Sequence, residues 1–264
     1  MEKEVIHTKI WQEEPEADNP FAAAKCYCSG YDVYGEILEK SSWAEYLYLL
    51  FKLEKPQSWQ TDLLEKIAIA IANPGIRDHS VRAAMNAGVG GSTSASALMA
   101  ALAVGAGNLN GGHEIYCLME WWHECGEDLQ QWRTRMKELQ KSKRATIWSE
   151  FDRVPGFDPH GVSCTTPTLQ TLTVLEKISH KNALTWLREN RQTLEIVANS
   201  PLSMTSVIAA AYVDLELSAE QAEMIYLLMR LPGAAVHALE QKQMGWKKYP
   251  FFGDALKIAN TKTE

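Results

Sequence analysis

The sequence predicts an all-α protein with a short irregular or β-hairpin segment at its N-terminus. Three observations carry that prediction. Apolar residues recur at helical spacing through most of the chain. Strand-type runs are confined to the N-terminal region, where "TKIW" (8–11) and "CYCSGYDVYG" (26–35) read as a short hairpin. No alternation of strands with helices follows, which argues against a parallel sheet.

The helices are justified in chain order. Ser42 opens "WAEYLYLLFKL", with Trp43, Leu47, Leu50 and Phe51 on one face. Gln60 and Thr61 precede "DLLEKIAIAIA", which stops at "NPG" (Asn73 to Gly75). Ala83 to Gly112 is poor in charge but carries Asn86, Ser92, Thr93, Ser94, Ser96, Asn108 and Asn110. A membrane span wants about 20 predominantly apolar residues, so this stretch reads instead as a buried helix of small residues, centred on Ser92 to Val104. "GNLNGGHEIYCLMEWWHECGED" (107–128) begins with glycines and continues as a helix. Trp132 to Lys143 reads as a charged surface helix, and Asn182 to Asn199 and Ser218 to Met229 as amphipathic ones. Ser218 with Gln221 forms a capping-box pattern. Pro232 and Gly233 are expected to break the helix that follows. Lys143 to Ser163, where Pro and Gly interrupt the helical pattern, is the best candidate boundary.

At 264 residues the chain is long enough for one or two domains. Its net charge of −7 argues against nucleic acid as a partner. Five cysteines, Cys26, Cys28, Cys117, Cys125 and Cys164, lack framework spacing, and the charged opening Met1 to Lys9 has no apolar core. A cytoplasmic location, with no membrane association, is expected. There is no phosphate-loop pattern, no dinucleotide fingerprint and no nucleophile elbow. Neither a cofactor nor a metal is expected. On a helix, His113, Cys117, Glu120 and Glu124 share a face, but the spacing matches no strong zinc signature, so packing with solvated polar groups is the favoured reading. Lys247 and Lys248 before "YPFF" read as a solvated pair rather than a phosphate site.

Three segments in order resemble the citrate synthase and citryl-CoA lyase family. The first is "NPGIRDHSVRAAMNAGVGGSTSASALMAALAVGAGNLNGGHE", where the family has a small-residue helix leading into a His-Gly-Gly-Ala loop. The second, "VPGFDPHGVSCTTPTLQTL", is similar to the family's Pro-Gly-Phe-Gly-His segment. The third, "SPLSMTSVIAAAYVDLELSAEQAEMIYLLMRLPGAAVHALEQ", is similar to its Asn-Val-Asp-Phe helix start and its Ala-Arg-x-x-Gly-x-x-Ala-His-x-x-Glu-Gln helix, matched by Arg230, Gly233, Ala235 or Val236, His237, Glu240 and Gln241. The third match is the most specific.

The resemblance implies a mainly α-helical homodimer with a large and a small domain. The expected division is an N-terminal segment 1–41, a large helical domain of 42–142 with 200–264, and a small helical domain of 143–199. It also implies chemistry on a CoA thioester. A histidine polarises the thioester carbonyl, an aspartate removes a proton, a second histidine activates a ketone, and arginines hold carboxylates.

Carried over residue by residue, the pattern is altered. The loop histidine falls on Asn110, with His113 three residues later. Asn110 can donate a hydrogen bond but cannot act as acid or base. The second histidine falls near Asp158, and an insertion of "DP" restores His160 to that role. The catalytic aspartate falls on Ser203, and an arginine near Thr168. An upstream histidine expected near Asn73 to Gly75 is absent, while Arg230 is kept. The candidates are therefore His113, His160 and Asp158 for catalysis, and Asn110, Gly111, Gly112, Ser203 and Arg230 for substrate binding. A CoA thioester and a small carboxylate or keto acid are the expected ligands. Two functions remain open. One is a citrate-synthase-like acyltransferase or citryl-CoA-lyase-type enzyme with an altered site. The other is a non-catalytic relative that binds a ligand or partner.

Overall fold

The structure is a computed structural model that describes residues 8–141 and 153–248. The segment 142–152, with Lys143, and the "YPFF" run at 249–252 lie outside the described residues. The described chain is dominated by helices, with one small sheet. Strands β1 (Gln12–Pro15), β2 (Ala23–Cys28) and β3 (Tyr31–Asp32) form an antiparallel sheet in the order β1-β2-β3. The β2–β3 turn is tight because Ser29 (φ 50) and Gly30 (φ 85) both sit in the left-handed region, the geometry of a two-residue hairpin. "TKIW" is not a strand. The first strand follows it at Gln12, and Lys9 reaches the sheet only through its carbonyl, which accepts from Ser29.

Helices α1 (Leu38–Lys40), α2 (Trp43–Lys52), α3 (Ser58–Ile71), α4 (His79–Val89), α5 (Ser94–Gly105) and α6 (Gly112–Cys125) come next. They are followed by α7 (Leu129–Lys141), α8 (Thr166–Ile178), α9 (Ala183–Ala198), α10 (Met204–Asp214) and α11 (Ala219–Met244). Several starts are chemically specified. Ser42 and Glu45 form a reciprocal capping box on α2, and Ser218 with Gln221 exchange the same bonds ahead of α11. On α2 the buried face is Ala44, Leu47, Tyr48 and Leu49, while Trp43 points to solvent.

Contacts group the chain into two compact units. Unit 1 holds Met1–Ile71 and Asn108–Tyr226, and unit 2 holds Ala72–Gly107 and Leu227–Glu264. The described residues Arg153 to Tyr226 belong to unit 1, where Glu114 of α6 and Ser206 of α10 both bond to Gly156.

Unit 1 is built around α10, whose residues Val207 to Tyr212 are all fully buried. It packs against α3, α6, α8 and α9, which explains why this helix is apolar on every side. A cluster of Trp121 and Trp122 from α6, Trp132 from α7 and Trp186 from α9 meets largely edge to face. Asp214, at the end of α10, accepts from Ser179 Oγ at 2.6 Å and from the Ala183 N–H at 2.8 Å, capping α9 from a distance in sequence. Burial pushes the Asp214 carboxyl up, and these bonds pull it partly back.

Unit 2 pairs α4 with α5 and packs both on the later part of α11 through Ala84, Ala97, Ala101, Ala234 and Ala238. Small side chains are required here: a Cβ on Gly88 would lie 2.6 Å from the Ala238 carbonyl oxygen. The small-residue helix is not buried as expected. Only Ala97, Ala101 and Gly105 of α5 are covered, while Met99 is 67% exposed and Val104 47%. Nor do Pro232 and Gly233 break the last helix; α11 runs through both. The Gly233 N–H leaves the helical ladder and donates to the Ala72 carbonyl at 2.7 Å, so the loop after α3 replaces a bond the helix forgoes.

Candidate functional site

The α6 start is the best-built feature of unit 1. Asn110 adopts a left-handed backbone (φ 52), and Gly111 and Gly112, both buried, form the N-cap and first residue of α6. Two residues on, Glu114 turns inward. Its side chain is 1% exposed. Oε2 accepts the Asn110 N–H at 2.7 Å, and Oε1 accepts the Gly156 N–H at 2.8 Å. Arg153 Nη2 lies 3.6 Å from Oε1, and the Thr205 hydroxyl adds a further hydrogen bond. Burial raises the Glu114 carboxyl above its ordinary range. The Gly156 N–H, Arg153, the Asn110 N–H and Thr205 each offset part of that rise.

One carboxylate thus ties together the glycine loop, the segment around Gly156 and the start of α10. The latter two also zip directly. Asp158 N–H donates to the Pro201 carbonyl at 2.8 Å and Ser203 N–H to the Gly156 carbonyl at 2.9 Å. Phe157 and Leu202 form a bridge pair between these bonds. The Ser206 hydroxyl donates to the same Gly156 carbonyl at 2.7 Å. Gly156 is at φ 84, and a Cβ there would collide with the Ser206 hydroxyl, so glycine is required.

The candidates take different positions. His113 is exposed, stacks on Tyr116 with ring centroids 5.8 Å apart, and has Nε2 3.6 Å from Cys117 Sγ. The carbonyl of Asn110 accepts from the Tyr226 hydroxyl at 3.0 Å. His160 is exposed in a turn, and its N–H donates to Asp158 Oδ1 at 2.9 Å, so the Asp158 carboxylate braces that turn. Ser203 is buried at the N-cap of α10, its hydroxyl 2.7 Å from that of Thr205. Thr168 is buried in α8, its hydroxyl 2.9 Å from that of Thr165. All these residues belong to unit 1, and Arg230 belongs to unit 2.

Arg230 is buried and ion-paired with Asp78, the residue that caps α4. One helical face of α11 receives the loop 72–78. Arg230 meets Asp78, Gly233 meets Ala72, and His237 Nε2 lies 3.1 Å from Asn73 Oδ1. His237 Nδ1 lies 3.6 Å from Glu240 Oε2. The loop that lacks the upstream histidine is therefore held by the kept motif residues of α11. Among the described residues, no group of three or more His, Cys, Asp or Glu is arranged to hold a metal ion.

Sequence reasoning passed over Glu114 and Asp78. A glutamate at the third position of a helix is a known capping signal, and Asp78 before a helical run is another. Neither signal says that the same carboxylate also holds a distant segment.

No protein-family model matches the sequence, and no curated protein matches it either. Solved structures do match. The chain is similar to citryl-CoA lyase from Hydrogenobacter thermophilus, at 16% identity and a TM-score of 0.72, with 99% of this chain and 97% of that one covered. It is similar to ATP citrate lyase from Methanothrix soehngenii in complex with citrate and coenzyme A, at 15% identity and a TM-score of 0.73, where it spans 42% of that longer chain and 98% of its own length is covered. It is also similar to citrate synthase from Thermotoga maritima, at 13% identity and a TM-score of 0.54, over 98% of this chain and 95% of that one. At these identities the likeness speaks for architecture, and on it, with the three motif segments and the helical build, the chain has the fold of the citrate synthase and citryl-CoA lyase family.

Proposed function

We propose that this protein binds a CoA thioester and carries out carbon–carbon bond chemistry of the citryl-CoA lyase type with an altered active site. The observation that carries this reading is the convergence on Glu114 of Asn110, Gly156 and Thr205, one from each motif segment. The likeness to structures of a citryl-CoA lyase and of an ATP citrate lyase with citrate and coenzyme A supports it.

In this reading Asn110 and His113, at the N-terminal end of α6, present hydrogen-bond donors to a thioester carbonyl, where the helix dipole favours developing negative charge. Gly111 and Gly112 let the ligand approach the backbone. His160 serves the acceptor, and Asp158 is the acid nearest to it in sequence. Ser203 lines the site without acting as a base, since a hydroxyl is a poor proton acceptor at neutral pH. Classical citrate synthesis from acetyl-CoA and oxaloacetate is accordingly expected to be weak or absent, because a missing base forfeits roughly 10²–10⁴-fold in rate.

Isothermal titration with CoA, acetyl-CoA and oxaloacetate, paired with a thiol-release assay, tests the proposal. CoA should bind, and turnover on acetyl-CoA with oxaloacetate should fall well below the enzyme median of about 10 s⁻¹. No CoA binding ends the reading. Rapid turnover abolished by Asp158→Asn would make Asp158 the missing base. A non-catalytic ligand-binding or partner-binding role is the second reading. It is favoured by the Ser203 hydroxyl, which is buried and shared with Thr205. CoA binding without turnover on citryl-CoA would select it.

We further propose a homodimer in a cytoplasmic setting. The exposed Met99 and Val104 on α5, a helix rich in small residues, support the first, and five cysteines without framework spacing support the second. Among the described residues, no helix is long and apolar enough to cross a membrane.

A further inference from the structure

Unit 1 holds a polar cavity of about 340 Å³ where three connections meet. The α2–α3 connection brings Glu54, Lys55 and Gln57, the α8–α9 connection His180 and Lys181, and the α10–α11 connection Glu216. The cavity lies beyond the C-terminal end of α10, whereas Ser203 and the contacts with Gly156 lie at its N-terminal end. Eleven residues of helix, about 16 Å, separate the two. The walls are braced from behind. The Glu216 carbonyl accepts from Lys52 Nζ at 2.6 Å, and the Ser179 hydroxyl beside His180 donates to Asp214 at 2.6 Å. Gln60 is buried, donates to the Tyr48 hydroxyl at 2.8 Å and accepts the Gln57 N–H at 2.8 Å. The Trp59 indole, 7% exposed, forms a floor on which the His180 ring stacks with centroids 5.3 Å apart.

The side chains around this cavity keep bonding capacity of both signs. Among the described residues, the Glu54 carboxylate makes no hydrogen bond or ion pair, and neither does the His180 ring. Lys181 Nζ spends one contact on Glu216 Oε1 at 2.7 Å, and Lys55 Nζ one on Glu36 Oε1 at 2.7 Å. An ammonium carries three donors, so each has donors to spare. Gln57 Oε1 accepts from Trp59 Nε1 at 2.7 Å, which leaves the Gln57 amide hydrogens for another acceptor. One cavity therefore offers a carboxylate to a cation, and ammonium and amide donors to an anion. Its volume is at the lower end of the roughly 300–1,000 Å³ typical of small-molecule sites, but such sites are mostly apolar and this one is not. A polar ligand of both charges fits that lining; an acyl chain does not. We propose that this cavity is a binding site for a free amino acid, with the ligand ammonium on Glu54 and its carboxylate on Lys181 and Gln57. The site is separate from the α6 start and does not depend on the proposed thioester chemistry.

The test is calorimetric titration of the common L-amino acids, one at a time, into the full chain. Acetate and methylammonium are titrated as the two halves of the zwitterion. At least one amino acid should bind, and at the same concentrations neither half alone should. Glu54→Gln and Lys181→Met should each weaken that binding on the order of tenfold or more, the usual loss for a hydrogen bond to a charged group. Both residues are exposed, so melting temperatures should stay close to wild type. Glu54 holds no other residue in place, so Glu54→Gln decides the matter even if Lys181→Met loses stability through Glu216. Absence of binding by every amino acid overturns the proposal, as does an affinity unchanged by Glu54→Gln. Acetate or methylammonium binding as tightly as the amino acid would make this a site for a single charge and overturn the ligand class.

Discussion

Glu114→Ala should be the most damaging single substitution around the α6 start. The Asn110 and Gly156 N–H groups lose their carboxylate acceptor. Stranding a buried donor costs about 1–3 kcal/mol each, so the two together cost about 4 kcal/mol. The deleted side-chain methylene adds about 0.8 kcal/mol. Relief from burying a charge beside Arg153 offsets a similar amount, leaving a net loss of about 4 kcal/mol at neutral pH. Urea denaturation followed by tryptophan fluorescence reads it, since the Trp121, Trp122, Trp132 and Trp186 cluster includes two residues of the same helix. The pH dependence adds an independent check. Burial raises the folded-state carboxyl of Glu114, so the folded state holds that proton more tightly than the unfolded chain. Its contribution to stability is complete below the ordinary carboxylate range and is lost as pH rises through the raised value. The gap between wild type and Glu114→Ala should therefore be widest in acid and narrow toward neutral pH. A variant within about 1 kcal/mol of wild type, smaller than the cost of one stranded amide, would refute the reasoning, as would a gap that widens with pH.

Three further outcomes follow from the geometry. Gly233→Ala places a Cβ 2.5 Å from the Ala72 carbonyl oxygen and 2.7 Å from Asn73 Cα, both backbone; it should lower the denaturation midpoint by an amount equivalent to about 1–3 kcal/mol, and an unchanged midpoint would show that the loop 72–78 is not clamped on α11. Ser42→Ala opens the α2 capping box and should cost about 1 kcal/mol, with Glu45→Gln costing less because the amide oxygen can still reach the Ser42 N–H. Sedimentation at micromolar concentration should give a dimer that dissociates when Met99 is changed to Lys; a stable wild-type monomer would remove α5 as an interface.

Local chemistry written in the sequence accounts for much of the fold. The 3.6-residue apolar period set helices along most of the chain, and Ser42, Asn182 and Ser218 marked starts within a residue of those observed. These features depend on neighbours a few positions away, which a sequence displays directly. The tertiary structure decided the rest. Pro232 reads as a helix breaker, yet α11 continues because Ala72, 161 residues earlier, supplies the acceptor that Gly233 needs. The alanines of α5 read as core, yet one stripe of them is covered, because a run without polar contrast does not say which side faces a neighbour. Glu114, Asp78 and Asp214 look in sequence like ordinary solvated carboxylates. Each becomes a structural tie only when folding brings Gly156, Arg230 or Ala183 to within hydrogen-bond reach and removes the water that would otherwise screen them. A carboxylate's partner can lie anywhere along the chain, and so the roles of these three residues were settled by tertiary contact, not by local sequence.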